Sequence, residues 1–276
     1  MAAGVDSAQR PDPTALLGPV VDIVRRAGEA ILRVYESNDQ GTTAKADDTP
    51  LTVADLASHW VILESLAALT PAIPVLSEES VAVPFEERRA WQHYWLVDPL
   101  DGTKEFLAKN GEFTVNVALI ADHEPVLGVV GVPARAVIYT GVSGTGAQRL
   151  TRGKDPTVIR TRRPARTPVR VVGSRSHRGD SLDGFLARLG PHELLPIGSA
   201  LKFCIVAEGD ADVYPRLGPT SEWDTAAAHA VLVAAGGAVV TTSGARLRYN
   251  TKASILNPFF VAYGDPERDW LACLGP

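Results

Sequence analysis

The string Trp95-Leu96-Val97-Asp98-Pro99-Leu100-Asp101-Gly102-Thr103-Lys104-Glu105-Phe106 constrains this chain more than any other segment. It begins as an apolar run suited to a buried strand and breaks into a turn at Asp98. Pro99 fixes its own φ near about −65° and has no N–H to donate, and Gly102 permits a backbone bend closed to other residues. Such a turn can aim two carboxylates and one backbone carbonyl at a common side. An oxygen-only donor set without His or Cys suits a hard cation such as magnesium and not zinc. The fold must therefore deliver this turn from the end of a strand into a cleft.

Further acids stand where rigid elements begin or end. Asp55 opens a helical pattern, Glu78 and Glu79 end a short strand, and Asp224 opens an Ala-rich helix. Each alone has an ordinary reading. A lone Asp at a helix start is an N-cap, Glu79 is a solvated neighbour of Glu78, and Asp-Pro and Asp-Gly are common turn formers. Only their combination points to a site.

The 276 residues carry 27 Lys and Arg against 32 Asp and Glu, a net charge of −5, and 45% are hydrophobic. That apolar share builds a core and excludes global disorder. The acidic balance argues against a general nucleic-acid binder. It leaves room for a small phosphorylated ligand, because cations can sit between protein carboxylates and phosphate. Cys204 and Cys273 have no metal or disulfide spacing and read as buried thiols of a reducing cytoplasm. Met1 to Pro13 lacks a basic flank and an apolar run, so no secretory signal is expected. The most apolar stretch, 226–240, is too short to span a bilayer.

The chain divides into a loose tail (1–13), an α+β half that holds the acidic turn (14–155), and an alternating α/β half (156–276), expected to form one compact unit. Helices are predicted from Leu16 to near Ser37 and from Val53 to Leu69, the second stopped by Pro71. Strands are predicted at 73–76, 94–97, 113–121, 126–132 and 136–141. Residues 142–168, rich in Gly, Thr, Arg and Pro, read as a solvated junction. Beyond them strands are predicted at 170–172, 194–197, 212–214, 238–241 and 259–262, with helices at 181–189, 200–208 and 225–235. Trp95 and Trp223 read as core residues.

The ordered set Asp55, Glu78-Glu79, Asp98 to Thr103 and Trp223-Asp224 resembles the signature of the magnesium-dependent, lithium-sensitive phosphomonoesterases of the inositol monophosphatase superfamily. The resemblance covers residues from about 16 to 264. Further strings place the chain nearest the CysQ-type 3′(2′),5′-bisphosphate nucleotidases: DGTKEF with NGEFTVNVALI, GSRSH at 173–177, GSALKFCIVAEG at 198–209 and YPRLGP at 214–219. Ala228 departs from the pattern, standing where the Trp-Asp motif usually carries Gly; its methyl bears on helix packing and removes no ligand.

The resemblance implies a five-layer αβαβα sandwich. It implies two or three magnesium ions held by Glu78, Asp98, the Leu100 carbonyl, Asp101 and Asp224. It assigns Asp55, Glu78 and Thr103 to activation of the attacking water. The implied reaction is hydrolysis of adenosine 3′,5′-bisphosphate to AMP and phosphate, with the sulfated 3′-phosphoadenosine 5′-phosphosulfate as a second substrate, clearing a by-product of sulfate activation. Arg216 stands where inositol-hydrolysing relatives offer an acid to sugar hydroxyls, and a guanidinium there suits a second phosphate. Ser199 and Lys202, with the helix start beside them, complete the expected 5′-phosphate site. His177 is a candidate to stack on adenine, and Gly102, Thr103, Lys104 and Ser174 are expected to border the substrate. The alternatives are an inositol or sugar monophosphatase and a non-catalytic binding protein; the intact acid set disfavours the latter.

Overall fold

Apolar residues at helical spacing form α1 (Pro13–Tyr35), whose first turn is capped by Asp12 accepting the Thr14 N–H at 2.9 Å. The computed structural model describes residues 11–37, 43–44, 50–80, 82–175 and 180–275. A short hairpin, β1 (Thr43–Ala44) and β2 (Pro50–Leu51), leads into α2 (Val53–Leu69). There follow β3 (Val75–Ser77), α3 (Phe85–Arg88), β4 (His93–Asp101), α4 (Thr103–Leu107), β5 (Thr114–Ala121), β6 (Glu124–Val132) and β7 (Val137–Val142). β8 (Gly146–Thr151) and β9 (Thr157–Ile159) complete a seven-stranded sheet of order β3-β4-β5-β6-β7-β8-β9. It is antiparallel except for the β3–β4 pair.

The remaining chain alternates: β10 (Val169–Ser174), α5 (Asp180–Leu189), β11 (His192–Ile197), α6 (Leu201–Ala207), β12 (Val213–Arg216), α7 (Ala226–Ala234), β13 (Ala238–Thr241) and β14 (Phe260–Tyr263). These strands form a five-stranded sheet of order β11-β10-β12-β14-β13. Parallel β10–β11 and β10–β12 pairs are joined through helices, as parallel pairing requires.

The layers follow from the two-residue period of the strands. On β4, Trp95 and Val97 face α1 and α2, meeting Val24, Ile31, Ile62 and Leu66. Tyr94 and Leu96 point the other way, into a core shared with α6 and α7 and with Val172, Tyr214 and Phe260 of the second sheet. The far face of that sheet packs Val171, Val213 and Val261 against Phe185 and Leu186 of α5 and against Trp270. Helices, sheet, helices, sheet and helix thus stack as αβαβα. Trp95 is fully buried, and Trp223 packs half-buried against the central core.

α7 lies unusually close to the first sheet. A Cβ on Gly128 would sit 2.0 Å from the Ala227 carbonyl oxygen, and one on Gly141 2.5 Å from the Val231 Cα. Glycine on the strands and alanine on the helix therefore fix where α7 begins, and with it where Asp224 is delivered. Ala228 is buried inside the unbroken helix.

The segment 142–168 departs from the expected junction. It contributes β8 and β9, and its arginines bind backbone carbonyls: Arg162 donates to Gly209 O at 3.3 Å, Arg163 to Gly264 O at 3.2 Å, and Arg166 to Gly209 O at 3.0 Å. These side chains stitch the link between the sheets to the second half of the chain. Cys204 and Cys273 are buried free thiols. No helix among the described residues is long and apolar enough to cross a membrane.

Candidate active site

The acidic turn works through a β-bulge. Asp98 pairs with Asn116 and Asp101 with Thr114, so three residue steps on β4 face two on β5. In a regular strand, residues three apart point to opposite faces; the extra residue restores Asp98 and Asp101 to the same side. Pro99 sits in the bulge, where its missing N–H breaks no ladder bond. Its carbonyl accepts from Ser58 Oγ at 2.7 Å, and the Leu100 N–H returns to Asp98 Oδ1 at 3.1 Å. Gly102, at φ +89°, then turns the chain into α4.

Neighbouring elements bring the other acids to this turn. The Glu78 N–H donates to Val97 O at 3.2 Å, prolonging the β3–β4 pairing until Glu78 stands beside Asp98. Asp224 Oδ2 accepts from the Ser221 N–H at 2.9 Å, which folds the loop before α7. Asn257 holds the same loop, donating to Ser221 O at 2.7 Å and to Thr225 Oγ1 at 3.1 Å. As a result, carboxylate oxygens of Glu78, Asp98 and Asp224 all lie within 4.8 Å of one another.

Such crowding is electrostatically unfavourable without a cation. Burial, and then repulsion from Glu78, Asp101 and Asp224, hold the Asp98 carboxyl well above the usual carboxylate range. Burial and Asp101 do the same to Asp224. Asp101 is pushed up to about 6 by burial, against the pull of the Lys202 ammonium and the Ala200 N–H. One buried carboxylate, Asp98, and two half-buried ones, Glu78 and Asp224, sharing one space and all hard oxygen donors, fit one or more divalent cations.

These acids open into a cavity of about 240 Å³. Glu78, Asp98, Leu100, Asp101 and Asp224 line it, joined by Gly102, Thr103 and Lys104 from the turn. Ser174, Ser199, Lys202 and Arg216 enter the same wall from the second half of the chain. Lys202 is buried over the Tyr214 ring, its Nζ donating to Ser199 O at 2.6 Å. Burial lowers this ammonium to about 8, with Arg216 adding to the effect and Asp101 opposing it. Arg216 donates to Pro219 O from Nη2, and its buried Nε has no protein partner. Two cations thus share a cavity wall near an acid cluster.

The predicted residues differ in one respect from the sequence expectation. The start of α6 is not available to an anion through its first donors, because the Ala200 N–H bonds Asp101 Oδ2 at 2.5 Å and the Leu201 N–H bonds Ser199 Oγ at 3.3 Å. Anion binding there rests on side chains. Asp55 is buried behind the wall, in a capping box: its carboxylate accepts from the Thr52 N–H at 2.7 Å and Thr52 Oγ1 at 2.5 Å. It remains close enough to raise Asp98. His177 lies outside the described residues. Sequence reasoning passed over Glu105, Tyr214 and Thr220 in the wall and Asn257 behind it, since none of these residue types signals a site by spacing.

The match that decides the family spans residues 12–268, which fit the model of the inositol monophosphatase family. The chain belongs to the inositol monophosphatase family. Within that family it is 51% identical over 246 residues to the 3′(2′),5′-bisphosphate nucleotidase CysQ of Salmonella typhimurium, covering 89% of this chain and 98% of the relative. The Escherichia coli K12 protein of the same name is 48% identical over the same shares. Among solved structures of the inositol monophosphatase family, CysQ from Bacteroides thetaiotaomicron superposes with a TM-score of 0.81 at 40% identity, over 92% of this chain and 98% of the other. The inositol monophosphatase from Anabaena gives 0.74 at 24% identity, over 95% of each chain, a likeness of fold.

Proposed function

We propose that this chain is a magnesium-dependent 3′(2′),5′-bisphosphate nucleotidase that releases the 3′-phosphate of adenosine 3′,5′-bisphosphate, giving AMP and phosphate. The observation that carries the reading is the shared cavity, which joins an acid cluster gathered from three segments, at Glu78, Asp98 and Asp224, to Ser199, Lys202 and Arg216. One phosphate would be cleaved at the acids while the other is held by the cations. The similarity to the CysQ nucleotidases supports the same substrate. The sulfated nucleotide, with its charged 5′ group, is the proposed second substrate, and the cytoplasm the proposed compartment.

Glu78, Asp98, the Leu100 carbonyl, Asp101 and Asp224 would hold two or three magnesium ions. Bound there, magnesium supplies neutralisation of the phosphate and polarisation of its oxygens, the main electrostatic demand of phosphoryl transfer. Thr103 orients the attacking water through its hydroxyl, with Glu78 beside it to accept the proton and Asp55 fixing the polar surroundings from behind. Gly102 and Lys104 border the scissile phosphate. Ser174 borders the nucleoside, and His177 is the proposed stacking partner of adenine. Ser199, Lys202 and Arg216 hold the 5′-phosphate; the free Nε of Arg216 gives it a donor for this purpose.

Arg216→Ala tests the assignment. It should raise KM for adenosine 3′,5′-bisphosphate by about 10- to 100-fold, the worth of a charge-assisted hydrogen bond or two. KM for adenosine 3′-monophosphate should stay nearly unchanged. Equal effects on both substrates would remove Arg216 from the 5′-phosphate site.

A further inference from the structure

Glu112 lies outside the cavity wall and in none of the acid motifs, yet it is only 6% exposed and joins four separate pieces of the chain. Its Oε2 accepts from the Gly198 N–H at 2.8 Å and from Arg175 Nε at 2.9 Å. Its Oε1 accepts from Arg175 Nη2 at 3.0 Å and Arg135 Nη2 at 3.4 Å. Arg175 also donates to Pro196 O at 2.6 Å. Burial opposes ionisation of this carboxyl, but the bonds from Arg175 and Gly198 outweigh it and hold the group below its usual range.

The backbone of Glu112 is wedged as tightly as its side chain. A Cβ at Gly198 would stand 2.9 Å from the Glu112 carbonyl oxygen, and one at Gly102 would stand 3.3 Å from it. Gly102 belongs to the catalytic turn, and Gly198 precedes Ser199. Glu112 thus packs against both, beside direct contacts between turn and loop: Glu105 Cγ faces Gly198, Ser199 Cβ faces Gly102, and Asp101 accepts the Ala200 N–H. The loop 196–200 is pinned at Pro196 by Arg175, at Gly198 by Glu112 and at Ala200 by Asp101. Between the last two pins Ser199 adopts φ +48°, a left-handed conformation uncommon for serine.

We propose that Glu112 is a positioning residue that sets the span between the catalytic turn and the Ser199–Lys202 loop, and so gives the enzyme its preference for a doubly phosphorylated substrate. This rests on the nucleotidase reading above. A span fixed by a buried carboxylate matches one distance between two phosphates, and a substrate with a single phosphate does not sense it.

The test compares adenosine 3′,5′-bisphosphate with adenosine 3′-monophosphate for wild type, Glu112→Ala, Glu112→Gln, Arg175→Ala and the Glu112→Ala/Arg175→Ala pair. Glu112→Ala should raise KM for the bisphosphate by about 10- to 100-fold, while kcat and the monophosphate KM change by less than about threefold. Glu112→Gln, which keeps an acceptor for the Gly198 N–H, should recover part of the loss. Arg175→Ala should give a smaller rise of the same kind and add nothing to Glu112→Ala. The Arg175 side chain is 42% exposed, so its removal leaves the core intact and decides the matter if Glu112→Ala fails to fold. Parallel losses on both substrates, unchanged KM values, or additive effects would overturn the proposal. A wild-type enzyme without a bisphosphate preference overturns the nucleotidase reading and this inference with it; a wild-type preference that survives in the variants overturns the inference alone.

Discussion

Asp98→Asn should abolish phosphate release and, in metal-free buffer, raise the melting temperature. The two effects have one cause. Asp98 is 1% exposed and faces Glu78, Asp101 and Asp224, so its charge is needed for cation binding and is harmful to the fold when no cation is bound. Asn keeps the oxygen that accepts the Leu100 N–H and removes the charge. Activity should fall by at least about 10³-fold, the scale of losing a group that fixes the charge-neutralising machinery. Relief of buried repulsion by about 1–2 kcal/mol raises Tm by roughly 2–8 °C for a chain of this size. The pH dependence has a defined sign. Asp98, Asp101 and Asp224 have folded pKa values above their unfolded ones, so these carboxyls bind more protons in the metal-free folded state, and the stability they contribute falls as pH rises through those values; buried His229, lowered to about 3, opposes them only at the acid end of the range. Thermal melts of metal-free wild type should therefore show a lower Tm at pH 8 than at pH 5.5, and Asp98→Asn should flatten that slope. A variant that stays active, or that melts lower than wild type without metal, would contradict the description of the cluster.

Magnesium should stabilise the wild-type protein strongly. A ligand that binds only the folded state adds RT ln(1 + [L]/Kd), about 2.7 kcal/mol at a hundredfold excess over Kd. For a chain of this length that is roughly 5–11 °C in Tm. Chelation should reverse the shift. Asp98→Asn and Asp224→Asn should lose most of it, because each removes one of the three carboxylates that lie within 4.8 Å of one another. Arg216→Ala, in the cationic part of the wall, should retain it. Differential scanning calorimetry with and without magnesium separates these cases, and an equal shift in all variants would place the cation elsewhere.

Much of this was legible in the sequence because it lay in strong local patterns. Helix α2 was predicted at Val53–Leu69 and runs over those residues, because Thr52 caps it and Thr70 with Pro71 ends it. The Asp98–Thr103 turn was legible because Pro and Gly constrain the backbone whatever the tertiary context. Strands β8 and β9 were not. They form one edge of the sheet, and only Ala147 and Ile159 are buried on them, too few inward positions to show a two-residue period. The bulge that brings Asp98 and Asp101 to one face was also hidden, since register is a property of the β4–β5 pair and not of either strand. So were the internal bonds that occupy the start of α6, and the role of Glu112, whose partners lie 23, 63 and 86 residues away in sequence. Long-range polar contacts leave no spacing to read.

Whether one cavity recognises two phosphates and cleaves one of them is decided by measuring magnesium-dependent phosphate release from adenosine 3′,5′-bisphosphate and from inositol 1-phosphate side by side. The bisphosphate should be favoured in kcat/KM by about 10²-fold or more, as expected when Lys202 and Arg216 engage a charge that the inositol ester lacks. Equal values, or a preference for the inositol ester, would contradict the account.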